Sequence, residues 1–65
     1  MALSQTPYDA VLRRITGQEA RVRRQERLIA DMTARGFSTG TAEQLLGLMR
    51  DALGALRASL GHYSN

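Results

Sequence analysis

The 65-residue sequence contains no cysteine, no lysine and no tryptophan, with one proline, one histidine, two tyrosines and one phenylalanine. Each shortage removes an option. Without cysteine there is no disulfide and no thiolate metal site. One histidine and six carboxylates leave little from which to build a zinc centre, so neither metal nor cofactor is expected. No long apolar run occurs. The richest stretch, 42–60, is interrupted by Glu43, Arg50, Asp51 and Arg57, which argues against a membrane span. The opening MALSQTPYD has no basic region followed by an apolar one, so no signal peptide is read and a cytoplasmic protein is expected. All nine cations are arginine. Together with abundant Ala, Gly and Leu, this suggests a GC-rich coding genome. A chain this short makes one domain, and its core is rarely worth more than ~3–5 kcal/mol. With disulfides and metals set aside, oligomerisation remains as the stabilising device.

What is present reads as two helices. Thr6 suits an N-cap, Pro7 the first helical position, and Asp9 follows Thr6 by three, a short version of the capping box. Val11, Ile15, Gln18, Val22, Gln25, Ile29 and Met32 then step 4-3-4-3-4-3, a heptad seam with two glutamines. This predicts a helix over about 7–35, with Gly17 as a weak point. The segment RGFSTGTAEQLL, 35–46, breaks the pattern. Gly36 fits the left-handed position that ends a helix, Phe37 is expected to fold back over the seam, and Thr39 or Thr41 caps the next helix. Ala42, Leu46, Met49, Leu53, Leu56, Leu60 and Tyr63 repeat the same stepping, predicting a helix over about 40–61. Leu45, Ala52 and Ser59 widen that face.

Two helices joined by a turn at 36–39 run antiparallel. The expected fold is therefore all-α, a two-helix hairpin in one domain, with tails at 1–6 and 62–65. Counting outward from the turn pairs Met32 with Leu46, Ile29 with Met49, Gln25 with Leu53, Val22 with Leu56, Gln18 with Leu60 and Ile15 with Tyr63. At 1.5 Å per residue the helices measure ~43 and ~33 Å. Tyr8, Val11 and Leu12 should then overhang the shorter helix. A bare apolar overhang and two half-covered seams both point to a homodimer forming a four-helix bundle. The self-association seam comprises Val11, Ile15, Val22, Ile29, Met32, Leu46, Met49, Leu53, Leu56, Leu60 and Tyr63.

Residues 24–46, RQERLIADMTARGFSTGTAEQLL, carry a resemblance. Arg24, Gln25, Leu28, Ile29 and Met32 match R-Q-x-x-[IL]-[IV]-x-x-[LM]. Gly36, Phe37, Ser38 and Thr39 match a G-[HF]-[DS]-T turn, and Ala42, Leu45 and Leu46 match A-x-x-LL. The pattern resembles that of short uncharacterised bacterial helical-hairpin proteins, although Phe37 and Ser38 stand where His and Asp are commoner. The resemblance implies a helical hairpin and no particular activity.

Catalysis needs convergent acid, base or nucleophile groups. Ser59 and His62 are three apart, but no carboxylate is placed to orient the imidazole, and a histidine near a helix C-terminus is accounted for by the dipole. No enzyme is expected. The stretch RVRRQER, 21–27, is the sharpest charged feature. Segment 9–35 has seven arginines against four acids, while the second helix balances two against two. Arg21, Arg23, Arg24 and Arg27 are thus candidate contacts for phosphate or a protein partner. Interleaved Glu19, Glu26 and Asp31, with Glu19–Arg23 and Arg27–Asp31 as i,i+4 pairs, favour a solvated face. The absence of an aromatic among them leaves no base-stacking platform. Gln18 and Gln25 are either register-setting polar seam residues or wet residues at its edge. The leading expectation is a small structural or adaptor protein acting through helix–helix association. Nucleic-acid association through the arginine face is the alternative, and a membrane-surface helix fits less well without tryptophan. Gly40, Gly47, Gly54 and Gly61 recur every seven residues. Gly40 belongs to the turn and Gly61 to a cap. Gly47 and Gly54 then face away from the first helix, read as drift in preference to a contact stripe.

Overall fold

The computed structural model describes residues 6–63. Residues 1–5 of the expected 1–6 tail and residues 64–65 of the expected 62–65 tail lie outside the described residues. Helix α1 spans Pro7–Ala34 and α2 spans Gly40–Leu60. The two pack against each other as an all-α hairpin, and the described residues end in a short 3-10 turn, Gly61–Tyr63. No strand occurs among the described residues.

The caps explain the boundaries. Thr6 lies in extended conformation and its hydroxyl accepts a bond from the Asp9 amide at 3.1 Å. Pro7 follows at a position where its missing N–H costs nothing. At the other end Gly36 adopts φ 78°. Its amide donates to the Thr33 carbonyl at 3.0 Å, and the Phe37 amide donates to Met32 at 2.9 Å. These two bonds form a Schellman closure, which satisfies carbonyls the helix would otherwise leave orphaned. Phe37 differs from expectation: it is 58% exposed and does not cover the seam. Thr39 begins α2, with its hydroxyl bonded to the Glu43 carboxylate and not to the backbone. Gly61 stands at the C-cap in right-handed conformation, φ −59°, so its backbone there demands no glycine. Gly17 sits inside an unbroken α1.

The core follows the two heptad seams. Val11, Ile15, Val22, Leu46 and Leu53 are buried, and Ile29, Met49, Leu56 and Leu60 pack against them. Met32 is half-buried. Tyr63 departs from its expected place in the seam, lying in the 3-10 turn at 48% exposure. Val11 departs in the opposite sense: it is 8% exposed within the common core, not bare on an overhang. The expected register is the cause of both errors. The Gln18 amide reaches the Met49 carbonyl, and Gln25 reaches Ala42. These acceptors are eleven positions closer to the turn than the Leu60 and Leu53 expected, and Arg57 and Arg50, which meet Glu19 and Glu26, are two positions closer than the same count gives. Residues 37–39 are not helical. Non-helical chain covers up to ~3.5 Å per residue against 1.5 Å in a helix, so it runs back along α1 before α2 begins.

Around Gly47 and Gly54 nothing lies within 4 Å of where a Cβ would stand. A side chain at either position would point into open space within the hairpin. Replacing both by alanine should stabilise it by up to ~2 kcal/mol, raising the melting temperature by on the order of 10 °C. Gly36→Ala should lower it, because a side chain at positive φ is strained. Thermal unfolding followed by circular dichroism checks both.

Candidate interaction surfaces

A Gln-Glu pair occurs at 18–19 and again at 25–26. Seven residues are two helical turns, so both pairs face α2 in the same way. Arg50 and Arg57 are also seven apart, as are Ala42 and Met49. The two spacings interlock. Gln18 Nε2 donates to Met49 O and Gln25 Nε2 to Ala42 O, both at 2.9 Å. Arg57 donates to Glu19 Oε2 at 3.0 Å and Arg50 to Glu26 Oε2 at 2.7 Å. The hairpin is thus stitched by two identical rungs, each with an amide–carbonyl bond and an ion pair.

The rung components differ in weight. Each glutamine bond is part-buried and adds a second donor to a carbonyl that has two lone pairs. Such bonds contribute ~1 kcal/mol each. The ion pairs are half-exposed, with side chains 37–58% accessible, and surface pairs contribute ~0.2–1 kcal/mol. The glutamines are therefore register-setting seam residues, the first of the two readings above. The expected Glu19–Arg23 and Arg27–Asp31 pairs are replaced. Glu19 binds Arg57 across the hairpin and Asp31 binds Arg35 at 3.3 Å.

At ~100° per residue, the ion pairs close one long edge of the hairpin. Helix geometry puts Leu28, Leu45 and Leu48 towards the other edge. They are 48%, 48% and 67% exposed. Along α2 that side continues through Ala52 and Ala55 without a charge. Further along, Arg14, Gly17, Gln18, Arg21 and Leu56 line an open groove of about 370 Å³. Arg23, Arg24 and Arg27 project from the side of α1 turned from α2. Arg21, Arg23, Arg24 and Arg27 are exposed and make no ion pair with another described residue.

Ser59 is half-buried and His62 exposed, on the last turn of α2 and the 3-10 turn respectively. Among the described residues, no group of histidines and carboxylates is arranged to hold a metal. No described helix is long and apolar enough to cross a membrane. Comparison with protein-family models, curated proteins and solved structures gives no match.

Sequence reasoning singled out the glutamines and the arginines but missed the rungs. The signal was the Gln-Glu pair repeated at seven, opposite two arginines spaced by seven. Double-mutant cycles measure the parts. Glu26–Arg50 should couple by ~0.2–1 kcal/mol, fading as salt rises. Gln25→Ala should destabilise by ~1 kcal/mol with little salt dependence.

Proposed function

We propose that this is a small non-enzymatic structural or adaptor protein that works by helix–helix association, with a second copy of itself as its first partner. One observation carries the reading. The hairpin buries its core only to 7–8% exposure, no described side chain falls below 2%, and a leucine-lined edge stands open. A two-layer hairpin has no second layer over that edge, and large exposed apolar patches mark association surfaces. A standard interface buries about 800 Å² per partner. Two hairpins placing Leu28, Leu45 and Leu48 against one another make a four-helix bundle. Kinship with the short bacterial hairpin proteins, resting on the motif over 24–46, and a cytoplasmic location belong to the same proposal.

Sedimentation velocity at micromolar concentration tests it. A dimer is expected, with a melting temperature that rises with concentration. Leu45→Glu with Leu48→Glu should give a less stable monomer. A wild-type chain that stays a stably folded monomer across that range overturns the reading.

A further inference from the structure

The rungs have a second effect. In the sequence, Glu19 and Glu26 stand among the arginines of α1 and would be expected to neutralise them. In the fold both carboxylates turn to α2 and are taken up by Arg57 and Arg50. Asp31 is taken up by Arg35 at the end of α1. Arg14, Arg21, Arg23, Arg24 and Arg27 are left without an acidic partner among the described residues, and all five are exposed. The hairpin neutralises the edge closed by its ion pairs and leaves Arg23, Arg24 and Arg27 on the outward side of α1, with Arg14 and Arg21 lining the groove at its other edge.

The five arginines are also sorted in space. At ~100° per residue, Ala20 lies at the crest of α1, opposite the buried seam. Arg23 and Arg27 fall to one side of it. Arg24, Arg21 and Arg14 fall to the other. From Arg14 to Arg27 the array runs ~20 Å along the helix. A helix with its side chains is ~10–12 Å across, and the major groove of B-form DNA is ~12 Å wide with phosphates along both walls. Cations on both shoulders of one helix match phosphates on both walls. Arginine, with its forked donors, suits phosphate oxygens.

Two observations narrow the partner. No aromatic residue occurs between Tyr8 and Phe37, and Gln18 and Gln25 are committed to α2. The face thus lacks stacking rings and free side-chain amides, and its main donors are arginines, which suit phosphate oxygens and can also fork onto guanine. A lipid surface would need an apolar side of α1 to enter the headgroup region, but Val11, Ile15 and Val22 are buried against α2. We infer that the outward face of α1 is a docking surface for the phosphate backbone of double-stranded DNA, without sequence preference. Arg23, Arg24 and Arg27 lie away from the seam, whereas Arg14 and Arg21 share the stripe of Leu28 and line the groove beside the leucine-lined edge, so the first three are the arginines that stay available if the hairpin self-associates through that edge.

Fluorescence anisotropy with a labelled mixed-sequence DNA duplex tests this. If four arginines contact phosphate, raising salt from about 50 to about 200 mM should weaken binding about a hundredfold. An unlabelled duplex of unrelated sequence should compete equally. Arg23→Gln with Arg24→Gln should reduce the salt dependence to roughly tenfold over that range, with the helical circular dichroism unchanged. Arg35→Gln, which removes the arginine paired to Asp31, should change affinity less than Arg24→Gln does. No binding at low salt overturns the inference, as does equal loss from Arg35→Gln and Arg24→Gln. Tighter binding to single-stranded DNA overturns it too, as does preferential capture by phosphatidylserine-containing vesicles.

Discussion

The hairpin depends on its register, and two glutamine side chains fasten the register that the turn allows. A seam of Val, Ile and Leu is attractive at many offsets, because hydrophobic contact has no direction. A part-buried amide is less tolerant. Its N–H must meet an acceptor or lose its hydration without replacement. Gln18 and Gln25 meet the carbonyls of Met49 and Ala42, and that choice carries the rest. It brings Val11 into the core, places Arg50 and Arg57 within reach of Glu26 and Glu19, and commits those carboxylates to the edge of the hairpin. The free arginine face and the open leucine edge are what remains on the outside.

Much of this architecture was legible in local chemistry. Thr6 and Pro7 mark the start of α1, Gly36 marks its end, and both heptad seams mark the buried faces, because capping and periodicity are properties of neighbouring residues. The register was not legible by counting from the turn. Counting assumes that a helix resumes level with the place where its predecessor stopped. Three non-helical residues after Gly36 break that assumption. The same error left Val11 bare and put Tyr63 in the seam. The arginines of 21–27 were legible as a charged stretch, but their freedom was not. Whether Glu19 and Glu26 screen them depends on which way two carboxylates turn, and that is decided by Arg50 and Arg57 on the other helix.

The glycines illustrate a different limit. Their spacing of seven suggests design, yet they fall into unrelated situations. Gly36, outside the series, is the one whose backbone requires glycine, at φ 78°. Gly47 and Gly54 face open space within a single hairpin. A helix carrying two such residues gives up stability that alanine would supply. A chain whose five core residues all retain a little exposure has little stability to spare.

The rungs are periodic, and a periodic fastening has more than one way to close. If α2 moved along α1 by a single heptad, one glutamine and one glutamate would each meet the counterpart that now serves the other, while the remaining pair of each kind came undone. The fastening behaves like a vernier with two marks, in which a slipped setting keeps half its grip. What makes the present setting unique is the short tether between the helices. The stretch from Gly36 to Thr39 is therefore more than a connector: its length selects among alignments that the seams and rungs, by themselves, leave close in energy.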